Sequence, residues 1–327
     1  MSRSPSPEFW AGKPVVVTGG AGFLGTAVVR DLNALGADVR IIRSADFDLR
    51  DPRATREALD GGAVVIHLAA NVGGIGFNRR NPAPLVYDNL MMTGNVFEQA
   101  RQAGVGKLVS ACTVCAYPKF TPVPFSEESL WDGYPEESNA PYGLAKKMML
   151  VLSDAYRRQY EFVSCVPIVA NLYGPHDNFD LEDSHVIAAM IRKFVEAHDA
   201  GDETVHLWGT GSASREFLYV DDAAEGIVLG ADRYDGEEPV NLGVGREITI
   251  RELVETIARL TRFEGEIRWD ASKPDGQPRR ALDTSRAREA FGFEAKTSFE
   301  DGLRATIEWY ERRLGEDARG GPALVAG

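Results

Sequence analysis

A tyrosine and a lysine separated by one helical turn offer the first recognisable chemistry in this sequence. Tyr142 and Lys146 lie four residues apart, a spacing that puts both side chains on one face of a helix. A tyrosine phenol has an ordinary pKa of about 10, so it needs a nearby ammonium group before it exchanges protons usefully at neutral pH. Such pairs are common on surface helices, and the significance of this one depends on what precedes it.

A glycine-rich turn stands near the start of the chain. The apolar run Val15–Val17 predicts a buried strand and the run Phe23–Leu35 predicts a helix, with Gly19, Gly22 and Gly25 spaced three residues apart. In this pattern the first glycine permits a tight turn, the second lets backbone N–H groups approach a phosphate, and the third lets the helix pack against the strand. The turn therefore predicts a dinucleotide site at a helix N-terminus, with an ordinary glycine-rich loop as the alternative.

The end of the second predicted strand, Val39–Ile42, bears on the choice of dinucleotide. An acidic residue there binds the ribose 2′-hydroxyl of NAD, whereas an arginine accommodates the 2′-phosphate of NADP. Arg43 occupies the position. It favours NADP(H) and leaves NAD possible, since Arg43 is also readily interpreted as a solvated surface charge.

Strand-like and helix-like segments alternate through the first half of the chain. The runs Val64–Ala70 and Lys107–Cys112 predict buried strands, and the runs Pro84–Ala103 and Ala140–Tyr160 predict long helices. This alternation predicts an α/β fold with a Rossmann-like, doubly wound parallel sheet that binds ligands at the carboxyl ends of its strands. Thr113 follows one such end, where its hydroxyl either contacts substrate or merely reflects strand preference.

The regular alternation stops near Pro175, and we expect a smaller C-terminal α/β substrate lobe beyond it. The predicted divisions are a dinucleotide-binding domain at 12–174, a substrate-binding lobe at 175–314, and loose tails at 1–11 and 315–327. Residues 239–245 predict a strand that rejoins the sheet.

Composition excludes several classes of function. The 327 residues carry a net charge of −13, which argues against a nucleic-acid partner and against anionic membrane surfaces. The sequence shows neither an apolar run of transmembrane length nor a signal-peptide core, so a cytoplasmic location is expected. The three cysteines are too few for a disulfide framework, and no second ligand pair accompanies Cys112 and Cys115, so no metal site is expected.

The glycine turn followed by Tyr142 and Lys146 resembles the extended short-chain dehydrogenase/reductase family. The resemblance implies that the tyrosine handles a proton, while the lysine holds the nicotinamide ribose and lowers the tyrosine pKa. The cofactor contacts that we predict from the pattern and the resemblance together are Gly19, Gly22, Phe23, Leu24, Gly25, Arg43, Asp48, Leu49, Leu68, Ala69, Ala70, Tyr142 and Lys146.

Further segments narrow the resemblance to the GDP-L-fucose synthases, which are 3,5-epimerase/4-reductases of GDP-4-keto-6-deoxymannose. The similarity runs from about Val15 to Leu303. The segments that carry it are Asn71–Ile75, Cys115–Lys119, Asn139–Tyr142, Asn171–Pro175, Asp177–Phe179, Ser184–Ile187 and Arg215–Phe217. The stretches through Cys115 and through Ser184 are the specific ones, because many sugar-nucleotide enzymes share the rest.

The implied chemistry agrees with the residue types. A 4-keto sugar has acidic protons at C3 and C5, and epimerisation needs a base on one face and an acid on the other. Cysteine and histidine, with ordinary pKa values of about 8.5 and 6.5, serve both purposes at neutral pH. By resemblance Cys115 is the favoured base and His185 its partner, while Thr113 and Tyr142 polarise the C4 carbonyl. The plain alternatives are a small apolar role for Cys115 and a capping role for His185.

The resemblance also implies a set of substrate contacts: Asn171, His185, Lys193, Trp208, Arg215 and Arg280. Lys273 stays an alternative to Arg280, and a core position stays an alternative for Trp208. The chain departs from the synthase pattern at Asn71, where a lysine is usual, and at Thr113, where a serine is usual. These departures leave another 4-keto sugar nucleotide open as the substrate.

Three other functions stay open. One is a redox-neutral epimerase, such as a GDP-mannose 3,5-epimerase with tightly held NAD, and another is a 4-reductase acting on another 4-keto sugar nucleotide. The third is a catalytically silent dinucleotide-binding regulator, because a fold does not fix a function. The resemblance implies a homodimer, in which the helices predicted at 84–103 and 140–160 form a four-helix interface, although the same faces could instead pack internally.

Overall fold

The computed structural model describes residues 4–181, 183–273 and 277–317. Its strands are β1 Pro14–Thr18, β2 Asp38–Ile42, β3 Val64–His67, β4 Lys107–Ser110, β5 Cys112–Thr113, β6 Ser164–Cys165, β7 Pro167–Val169, β8 Asn171–Tyr173, β9 Thr204–Trp208, β10 Ser214–Arg215, β11 Phe217–Tyr219, β12 Val240–Leu242, β13 Ile248–Thr249 and β14 Glu266–Asp270. Its α-helices are α1 Pro7–Trp10, α2 Phe23–Ala34, α3 Pro52–Leu59, α4 Ile75–Arg80, α5 Pro82–Gln102, α6 Ala140–Tyr160, α7 Val186–Ala200, α8 Val220–Arg233, α9 Ile250–Leu260, α10 Ser285–Phe291 and α11 Phe299–Asp317. Two 3₁₀ turns cover Val114–Ala116 and Glu127–Trp131.

A parallel sheet forms the larger part of the fold. Its order is β2-β1-β3-β4-β6, and the short strands β5 and β7 continue β4 and β6 after one-residue interruptions. Strand β12, which lies within the predicted segment 239–245, pairs in parallel with β7. The predicted α/β Rossmann-like fold is confirmed, and the order reverses between β1 and β3, where such sheets bind ligands.

Helices cover both faces of this sheet. On one face α2 packs with α8, and on the other α5 packs with α3 and α6. The central strands, such as the fully buried Val15–Val17, are continuous apolar runs because both of their faces are covered. Among the described helices, none is long and apolar enough to span a bilayer.

A second hydrophobic cluster lies in the C-terminal half. Buried side chains of α7, α9 and α11 surround the parallel pair β9 and β14. A separate lobe needs a hydrophobic core of its own, and this cluster could supply one. The predicted substrate lobe and its boundary at 174/175 stay predictions.

The predicted loose tails need correction at their inner ends. Residues Pro7–Trp10 form α1, and the Trp10 side chain is fully buried, because an indole brings much apolar area to the core. At the other end α11 continues to Asp317. Residues 1–3 and 318–327 lie outside the described part.

The glycine turn after β1 is as tight as its spacing predicts. Gly19 has a φ of +70°, and a side chain there would bring a Cβ within 2.8 Å of the Ala69 nitrogen. A Cβ at Gly25 would overlap the carbonyl oxygen of Gly19. Both glycines are therefore required for the approach of α2 to β1 and β3.

Replacing Gly25 with alanine is expected to open this turn. The overlap with the Gly19 carbonyl forces the backbone apart, at a cost typical of overpacking, about 1–3 kcal/mol. Thermal unfolding should occur at a lower temperature, and dinucleotide binding measured by fluorescence titration should weaken. The control is Gly315→Ala in α11, where an added Cβ meets nothing within 4 Å. Equal stability and binding for the two variants would contradict this account of the turn.

Candidate active site

Tyr142 and Cys115 are brought together by a close helix contact. Gly143 on α6 has no room for a side chain, because a Cβ there would overlap the carbonyl oxygen of Cys115. The first turn of α6 thus rests directly on the 3₁₀ turn Val114–Ala116, and α6 also contacts β5. Sequence reasoning named Tyr142 and Cys115 but missed Gly143, whose requirement arises only from this packing.

Thr113 caps the same turn. Its Oγ1 accepts a hydrogen bond from the Cys115 backbone N–H at 3.2 Å. A threonine hydroxyl that accepts in this way keeps its own proton available for donation. Thr113 can therefore donate to a carbonyl oxygen of a ligand on the Cys115 side of α6.

Burial shifts the pKa values of the Tyr142–Lys146 pair in a direction that the sequence did not predict. Burial and then the thiols of Cys115 and Cys112 raise the pKa of Tyr142, so the phenol stays protonated at neutral pH. Burial lowers the pKa of Lys146 to about 8, against a smaller opposite effect of Cys112. Lys146 is not among the groups that shift the pKa of Tyr142 here, so the expectation that Lys146 lowers this pKa stays a prediction.

A guanidinium group contacts the Cys115 sulfur. Arg280 Nη1 donates to Cys115 Sγ at 3.6 Å, and Arg280 Nη2 donates to Gln277 Oε1 at 2.7 Å. The Gln277 amide in turn donates to the Lys119 carbonyl at 2.9 Å. These contacts favour Arg280 over Lys273 as the residue that completes the site, and Gln277 is a supporting residue with no signal in the sequence.

Arg215 and Arg280 lie on adjacent segments. The Glu216 N–H donates to the Arg280 carbonyl at 3.0 Å, and the Ser214 N–H donates to the Pro278 carbonyl at 2.9 Å. Burial and then the charge of Arg280 lower the pKa of Arg215 to about 10. Within the described residues neither guanidinium forms an ion pair with a carboxylate. A buried guanidinium at Arg280 and a half-buried one at Arg215 suit an anionic ligand such as a diphosphate.

His185 stands at the start of α7 and faces a buried acid. Its side chain is half exposed, and its Nδ1 lies 3.8 Å from Asp177 Oδ1. Burial by itself would lower the pKa of His185, but the attraction of the nearby Asp177 carboxylate outweighs burial, so the pKa is raised. The His185 side chain makes no capping hydrogen bond, which removes the capping alternative.

The segment that includes Gly74 holds the His185 loop in place. The Gly74 N–H donates to the Asp183 carbonyl at 2.7 Å, and a Cβ at Gly74 would overlap the Ser184 carbonyl oxygen. Asn71, the departure from the synthase pattern, donates to Asp88 at 2.9 Å.

The remaining substrate candidates lie around the C-terminal lobe. Trp208 ends β9 with 77% of its surface exposed, which excludes the core alternative and leaves a flat aromatic surface. Lys193 on α7 donates to the His206 carbonyl of β9 at 3.0 Å. Asn171 donates to the Glu216 carbonyl at 2.9 Å, next to Arg215. Their roles toward a ligand stay predictions.

The edge of the sheet near α2 fits a dinucleotide. Gly22 caps α2 without any side-chain hydrogen bond, so the first N–H groups of the helix remain available for a phosphate. Phe23 and Leu24 begin the helix there. Leu68 and Ala69 donate backbone N–H groups to Thr18 at 3.1 and 3.4 Å, which keeps the chain after β3, including Ala70, close to the turn.

The three residues predicted to contact the adenosine end of the cofactor differ in how available their side chains are. Arg43 is exposed, and its side chain has no partner among the residues that the structure describes, so it is available for a 2′-phosphate. Asp48 is engaged by Arg50, whose side-chain and backbone hydrogen bonds lower the pKa of Asp48. The Leu49 side chain is buried in the core, so any cofactor contact of Leu49 falls to its backbone.

The core histidine of β3 takes no part in this chemistry. His67 is fully buried, and its Nδ1 shares a 2.7 Å hydrogen bond with Thr18 Oγ1. Burial and then the charge of Lys146 lower the pKa of His67 to about 3. His67 is therefore neutral at physiological pH and structural.

Comparison with known proteins agrees with the motifs. The model of the NAD dependent epimerase/dehydratase family matches residues 15–243. The chain is 41% identical to GDP-L-fucose synthase 1 of Arabidopsis thaliana over 308 residues, covering 92% of this chain and 94% of the relative. It is 38% identical to the GDP-L-fucose synthase of Escherichia coli over 310 residues, covering 90% and 96%. The solved structure of a GDP-L-fucose synthetase from Naegleria fowleri bound to NADP matches with a TM-score of 0.84 at 29% identity, covering 96% of this chain and 98% of that one.

Proposed function

The chain belongs to the NAD dependent epimerase/dehydratase family, and from this premise we propose that it is an epimerase-reductase acting on a GDP-linked 4-keto-6-deoxyhexose. It inverts C3 and C5 and then reduces C4 with NADPH, as a GDP-L-fucose synthase does. The observation that carries the proposal is the placement of Cys115 beside Thr113, Tyr142 and Arg280. A simple reductase needs no thiol at that point.

The epimerisation follows from two groups on opposite faces of the sugar. Cys115 removes the proton from C3 and from C5, and the electron pair of each broken C–H bond moves into an enolate at the C4 oxygen. Thr113 and Tyr142 donate hydrogen bonds to that oxygen and stabilise its developing charge. His185, whose pKa is raised, returns a proton to the opposite face.

Reduction uses the same oxygen contacts. NADPH, when bound, supplies the hydride for C4. Tyr142 gives the C4 oxygen its proton, and the raised pKa of the phenol ensures that this proton is present at neutral pH. Lys146 holds the nicotinamide ribose, and its pKa of about 8 leaves the amine largely charged below that pH.

Substrate binding is assigned to the cationic and aromatic groups around the thiol. Arg215 and Arg280 bind the diphosphate, because neither guanidinium, one half-buried and the other buried, has a carboxylate partner in the described chain. Trp208 presents an exposed indole for the nucleobase. Lys193 and Asn171 complete the set as weaker assignments, since each already donates to a backbone carbonyl.

Replacing Arg43 with glutamate is expected to reverse the cofactor preference. The guanidinium contributes a charge-assisted hydrogen bond to the 2′-phosphate, worth about 1.5–3 kcal/mol, and a carboxylate repels that phosphate. The dissociation constant for NADPH should rise more than tenfold, about 1.4 kcal/mol, while that for NADH stays the same or falls. Fluorescence titrations with both cofactors measure this, with Arg53→Glu, at an exposed position of α3, as control. Unchanged NADPH affinity would show that Arg43 is only a surface charge.

A homodimer is part of the proposal. Exposed apolar side chains follow the outer faces of α5 and α6, namely Tyr87, Leu90, Val151 and Tyr160. These two helices pack together, and pairing with a second copy would bury both faces in a four-helix interface. Sedimentation should then give twice the 35.7 kDa mass of one chain, whereas a single-chain mass would refute the dimer.

We also place the protein in the cytoplasm. Its three cysteines are free thiols, the state expected of a protein from a reducing compartment.

Product analysis tests the proposed function. The purified protein is incubated with GDP-4-keto-6-deoxymannose and NADPH, and the product sugar is identified by NMR. GDP-L-fucose with one NADPH oxidised per sugar is the expected result. Oxidation of NADPH with the mannose configuration retained at C3 and C5 would reduce the function to a 4-reductase. If no NADPH is oxidised, the protein is incubated with GDP-mannose instead. Epimerisation of GDP-mannose by a protein that copurifies with NAD would establish the redox-neutral alternative.

A further inference from the structure

A buried carboxylate next to His185 has no explanation in the fold. Asp177 follows the β8 segment and its side chain is only 4% exposed. Its Oδ1 accepts the Asn178 backbone N–H at 2.8 Å, while its buried Oδ2 has no hydrogen-bond partner among the described residues. A buried carboxyl group with an unpartnered oxygen is costly, so its retention calls for a group that it serves.

His185 is the group that this carboxylate faces. The two side chains approach to 3.8 Å between Nδ1 and Oδ1. Position works against a charged imidazole here, because His185 begins α7, where the helix N-terminus carries partial positive charge. Asp177 is therefore the local feature that favours the protonated ring.

The other charged groups that the structure describes near His185 in sequence are engaged elsewhere. Asp183 pairs with Arg80 of α4. On α7, Arg192 pairs with Glu196 and donates to the Phe179 carbonyl, and Lys193 donates to the His206 carbonyl. Asp180 accepts the Asp183 backbone N–H.

We propose that Asp177 is a positioning residue that holds His185 protonated and oriented as the acid of the epimerisation. This inference rests on the proposed function of the site. In the step concerned, the far imidazole N–H bond breaks and its proton forms the new C–H bond with the electron pair of the enolate. His185 is left neutral, with its Nδ1 proton directed at Asp177, and it is recharged by a proton from solvent.

The variant Asp177→Asn isolates the charge. An asparagine oxygen can still accept the Asn178 N–H, so the loop retains its backbone hydrogen bond. Asp183→Asn is the matched control, since it removes an acid two residues from His185 that faces Arg80 instead. Histidine-labelled protein followed by NMR gives the titration of His185, with its signal among the five histidines identified by its loss in His185→Gln.

We expect the titration midpoint of His185 to fall by about one pH unit or more in Asp177→Asn and to stay unchanged in Asp183→Asn. In Asp177→Asn, deuterium exchange into the sugar should fall about tenfold or more at pH 8, because less of His185 is protonated there. Exchange should recover in part at pH 6, where solvent protons charge the imidazole without help from a carboxylate. An unchanged midpoint would overturn the proposal. The expected shift in a protein that exchanges no deuterium into any 4-keto sugar nucleotide would instead refute the proposed function, and with it the acid role of His185, while leaving the electrostatic pairing intact.

Discussion

Replacing Cys115 with serine is expected to lower deuterium exchange at C3 and C5 by about 10²–10⁴-fold, the range typical of a removed general base. A serine hydroxyl has nearly the shape of the thiol but gives up its proton far less readily, so it cannot cycle as a base at neutral pH. Reduction at C4 should survive, because Thr113, Tyr142 and the dinucleotide turn are untouched. The measurements are NMR of the sugar in D₂O and NADPH absorbance on the same samples.

The control for this variant is Cys165→Ala. Cys165 is buried in β6, and its pKa is raised to about 12 by desolvation, so it is an inert thiol in the core. The Cys165→Ala variant should therefore retain both deuterium exchange and reduction. Full exchange by Cys115→Ser would contradict the assigned role, and equal losses of exchange and reduction would point to a collapsed site rather than a missing base.

Replacing Tyr142 with phenylalanine is expected to produce the complementary result. Reduction should fall by about 10²–10⁴-fold, because the phenol is the only proposed proton donor to the C4 oxygen. Exchange at C3 and C5 should fall less, since Thr113 still donates to the enolate oxygen while Cys115 and His185 remain. Removing one oxyanion donor typically costs about 10²–10³-fold, and the second donor should limit the loss.

Tyr134→Phe serves as the control, because Tyr134 is 62% exposed and lies outside the site. NADPH affinity should be unchanged in Tyr134→Phe. In Tyr142→Phe it should fall by no more than the loss of one neutral hydrogen bond, about 0.5–1.5 kcal/mol, which separates a chemical role from cofactor binding. A Tyr142→Phe protein that reduces its substrate at the normal rate would show that another group protonates C4. The pair of variants therefore assigns the two half-reactions to two different side chains.

The elements that position this chemistry were predictable because their signals are local. The run Val15–Val17 and the glycines after it specify a strand, a turn and a helix within one short stretch. The helix predicted at 140–160 has the same bounds as α6, since its pattern extends over many turns. Tyr142 and Lys146 share a helix face for the same reason.

The contacts that make the site work were not predictable, because they join distant parts of the chain. Arg280 reaches Cys115 across 165 residues, and the resemblance could offer it only as one of two candidates. Asp177 lies within a recognised segment, yet only the fold shows that its carboxylate faces His185. The raised pKa of Tyr142 was not predictable, because it depends on burial and on two thiols from other segments, which a spacing of residues does not show.

Deuterium incorporation without NADPH is the most direct test of the central claim, that one site epimerises before it reduces. The enzyme is incubated with GDP-4-keto-6-deoxymannose in D₂O, and the sugar is examined by NMR before and after NADPH is added. The structure predicts deuterium at both C3 and C5 before the addition and oxidation of NADPH after it. Oxidation of NADPH with hydrogen retained at both carbons would contradict the claim and would leave Cys115 and His185 without a catalytic role.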